Sequence, residues 1–277
     1  MESQSATQRP GSEADRTLDL VSYGVPFQLA AEDASLLGRM RQSAPFGSLP
    51  CPDLPAGARR FTLRATAPCF QVLGDEELLA QDETLDFALE LLGGHLTVHV
   101  AEHAPDYVFV HAGVVAWQDR ALLLPGMSFA GKSTLVAELV RAGATYYSDE
   151  FALIDRDGRV HPFPRDLRMR RPGAPEQTPV SIEELRGRAG TAALPVHLVV
   201  FTEFAEGSRW APEPLSSGRA ALEMLLHTAP VKRTPARVMA TFSALMRHAQ
   251  AWRSRRGEAA VTASALLASL ANGGALA

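Results

Sequence analysis

The chain has 277 residues, 46% of them hydrophobic and 21% charged, with a net charge of -4 at pH 7. This length holds one large domain or two small ones, and the composition is that of an ordinary globular protein. The acidic balance excludes a global basic field for nucleic acid, and no apolar run is long enough to span a membrane.

Residues 1–17 are polar, lack the apolar core of a signal peptide and are predicted to be a disordered tail. Residues 18–105 are predicted to be a small α+β region. Val21 to Ala30 reads as a strand broken by Gly24 and Pro26. Ala31 to Gln42 reads as a short helix with Leu36, Leu37 and Met40 on one face. Residues 43–57 are rich in Pro, Gly and Ser, which predicts a loop. Arg60 to Ala65 alternates like a strand, and Cys69 to Leu73 is its expected partner. Asp82 to His103 places Leu85, Leu89, Leu92, Leu96 and Val100 at helical spacing, with a kink or split expected at Gly93-Gly94. Cys51 and Cys69 have no metal-ligand spacing, so reduced thiols in a cytoplasmic protein are expected.

Residues 106–277 are predicted to be an α/β core with C-terminal helices. Tyr107 to His111, Val114 to Trp117 and Ala121 to Leu124 read as three short apolar strands. Gln118-Asp119-Arg120 joins the last two, and so tight a link permits only an antiparallel hairpin. The strand ends at Gly126, and Gly126 to Thr134 matches G-x-x-x-x-G-K-[ST], with a helix opening at Lys132. In that pattern backbone N–H groups wrap phosphates, the Lys reaches the β- and γ-phosphates, and the next hydroxyl holds Mg²⁺. The expected nucleotide-binding set is Gly126, Ser128, Ala130, Gly131, Lys132, Ser133 and Thr134. Thr145 to Ser148 and Phe151 to Ile154 read as strands, with a turn at residues 156–159. Pro195 to Phe204 reads as a central strand. Ser216 to Thr228, Pro235 to Gln250 and Glu258 to Leu270 read as helices.

Asp149 and Glu150 follow a strand next to the loop, where a ligand crevice opens in an α/β sheet. One carboxylate can order Mg²⁺ and the other can take a proton from an attacking hydroxyl. The residues leave open which does which, so the metal set is Ser133, Asp149 and Glu150. His111 can point at the transferred phosphate or be a satisfied core histidine. In the basic segment from His161 to Arg171, Arg165 is the first choice for a phosphate or acidic-acceptor contact, because prolines stiffen its backbone. Arg253, Arg255 and Arg256 read as solvated surface.

The run His111-Ala112-Gly113, then Leu122 to Thr134, then Ser148-Asp149-Glu150 resembles the core of the HPr kinase/phosphorylase family. It is most similar to short HPr kinase-related proteins, and the likeness covers about Tyr107 to Asp155. The resemblance implies a P-loop kinase core of the phosphoenolpyruvate carboxykinase-like type. It implies an ATP-dependent phosphotransferase, with ATP and Mg²⁺, acting on a hydroxyl. By that likeness Lys132 binds phosphate, Ser133 binds Mg²⁺, Asp149 is the base, Glu150 is a metal or water ligand and His111 is a second catalytic group. Phe129 stands where true HPr kinases have a second glycine, and their downstream glycine-rich signature is not recognisable. The expected acceptor is a Ser of a peptide or protein, with a small-molecule hydroxyl or a nucleotide-gated binder of slow ATPase activity as the rivals. Homo-oligomerisation is left open.

Overall fold

The structure is a computed structural model that describes residues 16–126, 131–170 and 177–273. The chain divides into two units, one ending at Pro105 and the other beginning at Asp106.

In the first unit β1 (Thr17–Ser22) and β2 (Val25–Ala31) pair antiparallel through Tyr23-Gly24. Both turn residues have positive φ, 48° and 79°. That is the backbone twist a two-residue hairpin needs. Gly24 thus makes a turn between two strands, where a single interrupted strand was expected. Helix α1 (Ala34–Gln42) starts at Asp33, whose carboxylate accepts from Leu36 N–H at 2.8 Å and caps the helix. Strands β3 (Leu49–Pro50), β4 (Arg59–Thr66), β5 (Cys69–Gly74) and β6 (Glu77–Asp82) complete a six-stranded sheet in the order β3-β1-β2-β4-β5-β6. Helix α2 (Leu85–His103) runs unbroken through Gly93-Gly94. A Cβ on Gly93 would sit 3.1 Å from the Ser43 carbonyl, so this glycine serves close packing and not a kink. Cys51 and Cys69 are free thiols.

The second unit is built on β7 (Tyr107–Trp117), one 11-residue strand where two short ones were expected. Strand β8 (Arg120–Pro125) pairs antiparallel to it, as the tight link requires. Helix α3 (Lys132–Arg141), β9 (Thr145–Ser148), β10 (Phe151–Asp155) and β11 (Arg159–His161) follow. A small hairpin, β12 (Leu167–Arg170) with β13 (Gln177–Val180), leads to β14 (Leu194–Phe204). Then come β15 (Glu213–Leu215), α4 (Ser217–Leu225), α5 (Pro235–Met246), β16 (Gln250–Arg256) and α6 (Ala259–Ala271). Residues from Gln250 onward therefore form a strand where a helix end was expected.

The sheet order is β11-β10-β7-β8-β14-β16-β15, with β9 also on β7 and β11 also on β14. Strand β14 is parallel to both β8 and β16. Its side chains alternate. Val196, Val199 and Phe201 join Ala220, Met224, Val238 and Phe242 of α4 and α5 in one core layer. Leu198 and Val200 join Leu135, Val136, Leu139, Leu266 and Trp252 in the other, under α3 and α6. A sheet buried on both faces brings the C-terminal ends of β8, β14 and β16 to one edge, and the Gly126–Thr134 motif starts there. No helix among the described residues is long and apolar enough to cross a membrane.

Candidate functional site

Helix α3 opens immediately after Gly131, which has φ 79° and so adopts a conformation that favours glycine. Lys132 is 6% exposed, and its ammonium donates to the Gly126 carbonyl at 2.8 Å. The side chain thus folds back to the end of β8. Burial lowers its pKa to about 8, and the Asp149 charge pulls the other way. Met127, Ser128, Phe129 and Ala130 lie outside the described residues, including the expected Ser128 and Ala130 contacts. Thr134 is exposed on the first turn of α3.

The turn between β9 and β10 carries the acidic pair. Buried Ser148 accepts from the N–H groups of Glu150 and Phe151 at 3.2 and 3.1 Å, and this fixes the turn. Asp149 faces α3, where the Ser133 hydroxyl and the Arg168 N–H favour its charged form. Burial raises its pKa to about 6, while Ser133 and Lys132 act in the opposite direction. Its Oδ1 is buried and has no hydrogen-bond partner among the described residues. A buried oxygen of this kind is costly unless something fills its place.

Glu150 points elsewhere. It forms an ion pair with Arg165, both half-exposed. Arg165 is presented by the Pro162-Phe163-Pro164 segment. Phe163 is fully buried and meets Phe109 and Phe151 edge-on, with centroids 6.2 and 6.3 Å away. The Tyr146 hydroxyl donates to the Arg165 carbonyl at 2.7 Å. Arg165 therefore reaches the site through the acidic pair.

His111 lies on β7 beside the loop, and the Gly126 N–H donates to its carbonyl at 3.2 Å. Burial, then the Lys132 and His227 charges, lower its pKa to about 4, so the ring is neutral at pH 7. His227 is a site residue that sequence reasoning missed. Its carbonyl accepts from the His111 N–H at 2.7 Å. Its pKa is lowered by burial and by Lys132, and its buried Nδ1 has no partner among the described residues. No motif marks it, because it comes from the end of α4, far along the chain.

A cleft of about 1170 Å³ opens beside Gly126 and His227, over the ends of β14 and β16. In it Glu223 pairs with both Arg219 and Arg253. Arg253 and Arg255 are exposed as expected, but Arg256 is 2% exposed. The reading of all three as solvated surface is thus wrong for Arg256. Its guanidinium is buried because backbone carbonyls satisfy it, at Gly131 (2.7 Å) and Gly257 (3.0 Å).

The oxygens near the loop fit Mg²⁺. They are hard donors from Ser133 and Asp149, with Glu150 adjacent, and Asp149 keeps a buried oxygen unpaired. Among the described residues no three or more His, Cys, Asp or Glu side chains form a metal cage. Mg²⁺ characteristically takes one or two carboxylates together with substrate phosphates. A scan against protein-family models finds no match, and a comparison with curated proteins finds none either.

Proposed function

We propose that this chain is an ATP-dependent phosphotransferase of the HPr kinase-related type, with a P-loop kinase core of the phosphoenolpyruvate carboxykinase-like kind. The observation that carries the reading is the largely buried Asp149 carboxylate, with a buried unpartnered Oδ1, set against the Ser133 hydroxyl and the buried Lys132 ammonium. Buried charges of opposite sign next to a helix N-terminus are costly when they serve only structure. They suit phosphoryl transfer, which asks a protein mainly for positioning and charge neutralisation.

Lys132 and the N-terminal turn of α3 neutralise phosphate charge. Ser133 and Asp149 would hold Mg²⁺, with Glu150 turned to Arg165 behind them, and the metal would supply further neutralisation at the β- and γ-phosphates. The Asp149 carboxylate accepts the proton of the acceptor hydroxyl, and its pKa of about 6 suits a base working near neutrality. His111 and His227, both with lowered pKa values, line the approach as neutral groups. Arg165 holds Glu150 in place. The acceptor is a hydroxyl, first a Ser of a peptide or protein.

The test is a titration of Mg-ATP against wild type and Lys132→Met, beside incubation of radiolabelled ATP with the chain and a lysate of its own cell. Affinity should fall about 10- to 100-fold in the variant, the loss of a charge-assisted phosphate contact. Label should appear in a polypeptide band. Label in a small molecule points to a different acceptor class. Free phosphate alone overturns the kinase reading in favour of a gated binder.

A further inference from the structure

Beside the loop lies a charged group that the proposed reaction leaves unused. Arg256 ends β16, and both of its terminal nitrogens donate to main-chain carbonyls, of Gly131 at 2.7 Å and Gly257 at 3.0 Å. Neither of these bonds is to a carboxylate. Its Nε is buried without a partner among the described residues. The guanidinium carbon lies 5.5 Å from the centroid of the Phe204 ring. Phe204 is 51% exposed and lines the cleft together with Gly126 and His227.

Gly131 is fitted to this contact on two counts. Its φ of 79° is one that side chains rarely adopt, and a Cβ there would come within 2.5 Å of Arg256 Nη2. A cation beside a helix N-terminus also opposes the helix dipole, which favours anions at that end. The Glu258 charge offsets part of this, and an anion bound at the loop would offset more.

We propose that Arg256 is a positioning residue of the nucleotide site: its guanidinium fixes the Gly131 carbonyl at the start of α3, and its stack on Phe204 ties that turn to the cleft. This rests on the nucleotide site proposed above. Arg256 touches no reacting atom. It sets where the first turn of α3 presents its N–H groups, and it makes that geometry sensitive to whatever covers Phe204. Covering the ring removes water from the cation–π contact and strengthens it.

The test compares wild type, Arg256→Met, Arg256→Lys, Phe204→Leu and the Met/Leu double variant. Three quantities are read: amide exchange at Leu135, Mg-ATP affinity and the thermal midpoint. Leu135 N–H donates to the same Gly131 carbonyl at 3.3 Å, so it reports the turn directly. In Arg256→Met, exchange at Leu135 should speed up while the middle of α3 stays protected, and affinity should fall about tenfold. Arg256→Lys should recover most of that loss. Phe204→Leu, at an exposed position where folding is not at risk, should lower affinity about two- to fivefold. The double variant should be no worse than Arg256→Met alone.

The inference is overturned by a folded Arg256→Met with wild-type exchange at Leu135. It is equally overturned by a lower thermal midpoint with unchanged affinity, or by fully additive single effects. Should Arg256→Met not fold, Arg256→Lys and Phe204→Leu decide by the same measures. Failure of wild type to bind Mg-ATP would refute the proposed function, while exchange at Leu135 would still decide the Arg256–Gly131 contact.

Discussion

The Ser133 hydroxyl faces the Asp149 carboxylate and favours its charged form, bringing the first turn of α3 to the turn that follows β9. This contact crosses from one segment of the resemblance to another. It puts a hydroxyl, a carboxylate and the Lys132 ammonium on one small surface whose charges are only partly balanced.

Replacing Asp149 with Asn keeps the size of the side chain and its ability to accept a hydrogen bond, but removes its basicity. Phosphoryl transfer should fall about 10²- to 10⁴-fold while Mg-nucleotide affinity changes much less. A single-turnover transfer assay beside a nucleotide titration, over a range of Mg²⁺ concentrations, checks this. Recovery of transfer at high Mg²⁺ would instead assign Asp149 to ordering the metal.

The raised pKa of Asp149 has a definite sign for activity and for stability. Activity needs the ionised form, so kcat/KM should rise through about pH 6 and level off above it. For stability, the folded state holds this proton more tightly than the unfolded chain does. The stabilising contribution is therefore full below the ordinary aspartate value of 3.8 and is lost as pH rises through about 6. Above that, ionised Asp149 costs the fold on the order of 1–3 kcal/mol. Asp149→Asn should thus be more stable than wild type at pH 8, with no advantage at pH 3.5. Thermal unfolding at both pH values measures it, and an equal difference at the two would contradict it.

Arg165→Ala removes the partner of Glu150 without touching the core. Because the pair is half-exposed, stability should change by about 1 kcal/mol or less. Turnover at saturating ATP should nonetheless drop about tenfold, since Glu150 loses its anchor. Arg247→Ala, exposed at the end of α5 and outside the cleft, is the surface control. Equal turnover in the two variants would remove Arg165 from the site.

Gly113 has a packing reason to be glycine. A Cβ there would stand 2.6 Å from Val136 Cγ2, so α3 rests directly on the β7 backbone. Gly113→Ala should cost about 1–3 kcal/mol by overpacking. Denaturant unfolding gives the stability. The displacement of α3 should also weaken nucleotide binding, which a calorimetric titration reads.

The elements legible in the sequence were those set by local rules. The Gln118-Asp119-Arg120 link dictated the β7–β8 hairpin, and the apolar run ending at Phe204 marked β14. Other elements were hidden because distant partners define them. Gly113 looked like a break between two strands, yet β7 passes through it with β8 on one side and β9 and β10 on the other. The apolar spacing of α5 seemed to continue to Gln250, where β16 begins as the parallel neighbour of β14. Arg256 looked solvated because charged residues usually are, and only the carbonyl of Gly131 explains its burial. His227 became visible as a site residue only when α4 delivered it to the backbone of His111.

The outer edge of the second unit's sheet is β15, only Glu213-Pro214-Leu215, with Pro214 opposite Trp252. Proline has no N–H to offer a further strand, and a charge stands next to it. At the opposite end β11 is already bound on both sides, by β10 and β14. The sheet therefore has little to offer a second sheet laid end to end with it. The β15 side would not seed fibrous growth, and copies meeting at this sheet would do so through its covering helices or loops.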